Sequence, residues 1–218
     1  MSPSPSPSTL SRIGVGDNRI YLASRSPRRR ELLKQIGVSF ESLLVREDLR
    51  RGVDVDETPL PDESPGIYVL RIARAKAAIA LQQIAQRVLP QRPVLAADTT
   101  IVFDDRIIGK PDDEKYAARI LRALSGREHQ VLTAVALALK DQVETQISVS
   151  SVWFRELTDA EIRFYIASGE ALDKAGAYAI QGRAAAFVTR IEGSYSGIMG
   201  LPLAETADLL QRFNIPVL

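Results

Sequence analysis

The order in which apolar runs alternate with helix signals constrains this chain most. Ile20 to Ala23 is a short apolar run of strand character. Ser26-Pro27 directly behind it opens a helix to about Ile36, because serine caps well and proline is tolerated in a first turn. Gly37 ends that helix, and Phe40 to Val45 reads as a second strand. A charged loop from Arg46 to Glu63 leads to a second cap-plus-proline start at Ser64-Pro65. The helix that follows runs to about Val88, with Ile67, Leu70, Ala77, Leu81 and Ile84 as its expected apolar stripe. Arg74 interrupts that stripe, and Arg71 and Lys76 lie close to it.

Pro93 to Phe103 reads as a buried strand, and Asp104-Asp105 turns it into Ile107-Ile108. A helix from about Asp112 to Leu124 comes next, then two long strands near Gln130 to Leu139 and Glu144 to Arg155. Thr158 caps a helix to Ser168, Ala184 to Ile191 reads as a strand, and Leu203 to Phe213 as a last helix. Strands and helices alternate early while strands adjoin later, which implies an α/β protein with a mixed β-sheet. Residues 1–18 read as a Ser/Pro-rich disordered tail and residues 19–218 as one domain.

Composition removes several chemistries. The 218 residues hold no cysteine, which excludes disulfides, thiol catalysis and zinc–thiolate sites, and a single histidine argues against a His-rich metal site. The net charge is +1, so an anionic partner must be held by a local cluster. Aromatic residues make up 6% of the chain, which with that balance argues against nucleic acid as a partner. No apolar run approaches the roughly 18 residues of a membrane span, and the expected compartment is the cytoplasm.

Against this background several segments break local rules. Ser24-Arg25-Ser26-Pro27-Arg28-Arg29-Arg30 places three arginines in a helix first turn, where the dipole disfavours cations. A docked anion would reverse that, using free backbone N–H groups and bidentate guanidinium donors; the alternative is a solvated basic face. Asp98-Thr99-Thr100 puts a carboxylate inside an apolar strand, where it needs donors or a cation. It suits a metal ligand or general base, or an Asp bonded to backbone N–H groups. Lys110, between Gly109 and Pro111, is either a surface lysine or a charge neutraliser on a stiff loop. Asp112, Asp113 and Glu114 suit the next helix start and read as structural. The small residues of the 173–182 segment permit close approach, and Gln181 offers a donor and an acceptor together. Gly193 to Pro202 reads as a close-packed turn. His129 reads as structural.

Taken in order, Leu22-Ala23-Ser24-Arg25-Ser26-Pro27-Arg28-Arg29, Ala73-Arg74-Ala75-Lys76-Ala77, Ala97-Asp98-Thr99, Gly109-Lys110-Pro111, Leu124-Ser125-Gly126, Asp173-Lys174-Ala175-Gly176-Ala177-Tyr178, Ile180-Gln181-Gly182 and Gly200-Leu201-Pro202 resemble the Maf family of nucleoside triphosphate pyrophosphatases. The resemblance spans about Ile20 to Phe213. It implies a two-lobed α/β fold, similar to inosine triphosphate pyrophosphatase, with the nucleotide in a cleft and often a homodimer. It implies a catalytic acid at Asp98 and an early acid at Glu57. Ser24, Arg29, Lys76 and Lys110 are then the phosphate-binding set. Asp98 and Glu57, being hard oxygen donors, suit Mg²⁺ or Mn²⁺. Arg28, Thr99 and Gln181 match the subgroup that cleaves dTTP and UTP, so the expected reaction releases a pyrimidine monophosphate and pyrophosphate. A nucleotide-binding module without catalysis is the rival expectation, and it would not need Asp98, Glu57 and Lys110 together.

Overall fold

The computed structural model describes residues 18–43 and 55–217. All but the last residue of the expected tail and the first half of the loop from Arg46, residues 46–54, lie outside them, as do the last two residues of the second expected strand. Strand β1 (Ile20–Leu22), helix α1 (Pro27–Gln35) and strand β2 (Phe40–Ser42) form a β–α–β crossover with β1 and β2 parallel. Helix α2 (Pro65–Gln86) then leads to the ten-residue β3 (Val94–Phe103) and the short β4 (Arg106–Ile108). After α3 (Glu114–Leu124) come the long antiparallel strands β5 (Glu128–Leu139) and β6 (Gln142–Phe154). Helix α4 (Asp159–Ala167), strand β7 (Val188–Glu192) and helices α5 (Tyr195–Ile198) and α6 (Leu203–Arg212) complete the described chain. The mixed sheet of seven strands runs β2-β1-β3-β5-β6-β7, with β4 paired to β3. A parallel pair needs a crossover whereas antiparallel neighbours take short turns, so the two halves of the chain build different parts of one sheet.

Capping follows the local chemistry. Ser26, Ser64 and Thr158 each accept a backbone N–H at the start of α1, α2 and α4, and Asp113 does the same for α3. Acids at 112–114 are therefore helix-starting residues, as the dipole argument expects. The apolar stripe of α2 is displaced from the expected one. Tyr68, Val69, Ile72, Ala73, Ala77, Ala80 and Ile84 are buried, whereas Ile67 is 61% exposed and Leu70 and Leu81 are only half-buried. Three alanines let the helix lie close to the sheet, and that close packing selects the face over the bulkier leucines. The expected strand at Ala184 starts late, because 183–187 form a 3-10 turn before β7.

Two cores sandwich the sheet. Tyr21, Val94, Ala96, Ala134 and Ala136 meet α2 on one face. Leu95, Ala97, Val135 and Leu137 meet residues of α1, α3, α4 and α6 on the other. Successive strand residues point to opposite faces, so Asp98 shares the face of Ala96 and Thr99 that of Ala97. The pairing of β3 also changes along its length. It pairs β1 only at Val94 and Leu95, and β4 only from Ile101 to Phe103, while β5 follows it from Val94 to Val102. Among the described residues, one edge of β3 carries no strand from Ala96 to Thr100, just beyond the carboxyl end of β1. Such an edge is where open α/β sheets leave a crevice. No helix among the described residues is long and apolar enough to cross a membrane.

Candidate active site

A cavity of about 450 Å³ opens on that bare edge, a size that accommodates a small-molecule ligand. Asp98, Glu57 and Lys76 form one part of its wall, Arg28 and Arg29 another, and Lys110 and Gln181 a third. Segments far apart in sequence meet here because β3 runs through the middle of the sheet, α1 covers one face and α2 the other.

On the α2 face, Lys76 Nζ lies 2.7 Å from Asp98 Oδ1 and 2.7 Å from Glu57 Oε1, so one ammonium bridges both carboxylates. The Asp98 side chain is 10% exposed and Glu57 45%, so the strand acid is the desolvated partner. Burial pushes the Glu57 carboxyl up. The hydrogen bond and charge of Lys76, with the charges of Lys110 and Arg29, outweigh burial and hold it below the ordinary value. Tyr68 on α2 donates its hydroxyl proton to Glu57 O at 3.0 Å, and burial with the nearby Asp98 and Glu57 charges pushes that phenol up to about 12. The phenol therefore stays protonated and remains a donor.

On the α1 face, the Arg29 guanidinium donates to Gly200 O at 2.7 Å through Nε, to Thr99 Oγ1 at 3.2 Å and to Ser24 Oγ at 3.4 Å. Burial lowers the Arg29 pKa, opposed by the charge of Asp98. Thr133 Oγ1 lies 2.7 Å from Gly197 O and 3.0 Å from Thr99 Oγ1. A hydroxyl has one proton, and Gly197 O can only accept, so Thr133 donates to Gly197 and Thr99 donates to Thr133. The chain of donors runs Arg29 to Thr99 to Thr133 to Gly197, with each proton assigned. Gly200, with φ of 107°, occupies a backbone region closed to most side chains, and a Cβ there would stand 3.4 Å from both Arg29 Nε and Thr99 Oγ1.

The third part of the wall is the 173–182 segment. Gly176 N donates to Gly109 O at 3.1 Å, tying this segment to the loop that carries Lys110. Asp173 and Lys174 also line the cavity and form a 2.6 Å ion pair with each other. Tyr178, a further lining residue, lies 2.7 Å from His129 Nε2 behind the wall.

The structure thus brings Asp98, Glu57, Lys76, Arg28, Arg29, Thr99, Lys110 and Gln181 to one cavity. Ser24 stands behind them: its hydroxyl accepts from Ser26 N at 3.2 Å and from Arg29. Arg30 turns to Arg25 O and Arg74 to Thr145 Oγ1, so the basic runs divide between cavity and surface. Sequence reasoning missed Tyr68 and Thr133. A phenol in the first turns of α2 and a hydroxyl inside an apolar strand were the available signals. Among the described residues no three acidic or histidine side chains gather as metal ligands. Glu57 and Asp98 supply two hard carboxylates, a number that suits Mg²⁺ when substrate phosphates and water complete its shell.

The family model described as Maf-like protein matches residues 19–213. A protein of Nitrosomonas europaea named dTTP/UTP pyrophosphatase is 58% identical over 200 residues, 92% of this chain and 97% of its own. Proteins with the same name from Dechloromonas aromatica and Nitrosospira multiformis are 56% and 57% identical, over 90% and 92% of this chain and 98% and 97% of theirs.

Proposed function

The chain belongs to the Maf-like protein family, and from that membership we propose that it hydrolyses dTTP and UTP to the nucleoside monophosphate and pyrophosphate. The observation that carries the mechanism is the single ammonium of Lys76 shared by Asp98 and Glu57 on the bare edge of β3. A polyanionic triphosphate fits a wall that offers Arg28, Arg29 and Lys110 beside the N-terminus of α1. Drawn toward the phosphates, Lys76 releases Asp98 as an acceptor. Asp98 takes a proton from water, whose oxygen attacks the α-phosphorus. The bond from that phosphorus to the α–β bridging oxygen breaks, and pyrophosphate leaves with its electron pair. Arg29 and Lys110 offset the charge that grows on the phosphate oxygens. Glu57 and Asp98 are the residues that would hold a divalent ion, Mg²⁺ or Mn²⁺. When bound, that ion would neutralise phosphate charge and act as a Lewis acid.

Base choice belongs to Gln181 and Arg28, which line the cavity. Thr99, whose hydroxyl is engaged inside the wall, acts on base choice through Arg29 and the 197–200 turn. Residues 19–218 form one domain in this reading, which works in the cytoplasm as a homodimer.

The test is pyrophosphate release from dTTP, UTP, CTP, GTP, ATP and 7-methyl-GTP, with Mg²⁺, Mn²⁺ or a chelator. Release led by dTTP and UTP and lost in chelator is expected. Release led by 7-methyl-GTP overturns the assignment of Arg28, Thr99 and Gln181. No release from any nucleotide overturns the reaction itself.

A further inference from the structure

Glu57 lies on a connecting segment rather than a helix or strand, and its carboxylate is 45% exposed. A side chain so placed is aimed only as well as its backbone is fixed. That backbone is gripped by side chains of α2. Three consecutive carbonyls accept from two side chains of α2: Asp56 O from Arg71 Nη1 at 3.5 Å, Glu57 O from the Tyr68 hydroxyl at 3.0 Å, and Thr58 O from Arg71 Nη2 at 3.0 Å. Arg71 is itself held by a two-pronged pair with Glu63, Nε to Oε1 at 2.6 Å and Nη2 to Oε2 at 2.7 Å. The Glu63 side chain is 4% exposed and also accepts Leu60 N at 3.1 Å, which closes the turn between them. Arg71 therefore uses one planar fork to join the helix, the far end of the turn and both neighbours of Glu57. An ammonium offers no such rigid fan of donors.

We propose that Arg71, latched by Glu63, is a positioning residue that sets the Glu57 carboxylate against Lys76 and Asp98. Arg71 does not line the cavity; besides the carbonyls of 56 and 58 it stands 5.6 Å from the ring of Tyr68, whose hydroxyl holds Glu57 O, so both routes converge on Glu57. This inference rests on the role given to Glu57 above, and a double-mutant cycle separates the two. The kcat/KM for dTTP is measured in the full chain for wild type, Glu57→Gln, Arg71→Gln and the double variant. Unfolding by urea is followed in parallel.

Arg71→Gln is expected to lower kcat/KM by about 10–100-fold, the usual size for a residue that orients another. In the Glu57→Gln background the same change is expected to cost less than about 3-fold, because the aimed group is already gone. Glu63→Gln, which loosens the latch without touching α2, is expected to repeat this pattern at smaller size, and it serves if Arg71→Gln does not fold. Arg71→Lys is expected not to restore activity. Equal fold-losses in both backgrounds overturn the inference and leave the role of Glu57 standing. If Glu57→Gln itself changes kcat/KM by less than about 2-fold, Glu57 is no part of the machinery, and the inference falls with it.

Discussion

Asp98 is the one cavity carboxylate that a strand, rather than a connecting segment, delivers, and it is 7% exposed. Desolvation makes its charge expensive unless a partner is close, and Lys76 is that partner. Asp98→Asn keeps the shape and the hydrogen bond acceptor but removes the carboxylate proposed above as the base. We expect kcat to fall by about 10²–10⁴-fold, with dTTP binding by calorimetry changed far less. A kcat within a few-fold of wild type would remove Asp98 from the proton transfer. The acid was visible in the sequence because it broke an apolar strand, and so were the arginines that broke a helix-dipole rule. Glu57 broke no rule, since an acid in a charged loop is ordinary, and only family spacing pointed to it. Thr133 was hidden for a different reason. A hydroxyl in a strand is common, and its partner Gly197 lies far along the chain.

At the scale of elements, the 173–182 segment shows what a small-residue stretch is for. Gly176 has φ of 68°, and a Cβ added there would lie 2.3 Å from Ile101 Cδ1 on β3. Gly176→Ala should cost roughly 2–4 kcal/mol in urea unfolding, from left-handed backbone strain and overpacking together. Ile101→Val deletes the methyl at 2.3 Å and leaves the γ-carbon at 3.2 Å, so in that background the overpacking share should shrink while the backbone share remains. An undiminished loss would place the whole cost in the backbone. The alternation of strands and helices was legible because capping residues and apolar runs are local signals. The buried face of α2 was not, because a stripe of alanines is chosen by how closely a helix can approach a sheet. The short helix α5 and the late start of β7 were also not legible, since a single turn capped by Ser194 and a 3-10 turn closed by Ala185 N on Gly182 O are too short to leave a periodic pattern.

At the scale of the whole molecule, pH acts through one buried ring. His129 packs edge-on against Phe154 and Tyr178, and burial pushes its pKa from 6.5 down to about 4. The unfolded chain takes a proton near 6.5 while the folded chain resists it to about 4. Stability is therefore fully present above the unfolded value and is lost as pH falls from 6.5 toward 4, by up to roughly 3 kcal/mol. His129→Leu should flatten urea-unfolding stability between pH 7 and 4.5 relative to wild type. A parallel decline in both proteins would locate the acid sensitivity elsewhere. Glu161 follows the opposite chemistry in a lower window. The Arg155 hydrogen bond and the Thr158 cap hold it at about 2, so its support fades only as pH falls below its ordinary 4.5.

The bare stretch of β3 also limits how this molecule can change over generations. Asp98 and Thr99 are sequence neighbours, yet one serves the α2 side of the cavity and the other the α1 side. A single codon inserted or deleted between Val94 and Ala97 would turn both residues over and hand each to the wrong partners. Change on that strand is therefore confined to substitutions, whereas a connecting segment that brings no residue to the cavity can lengthen or shorten without disturbing it.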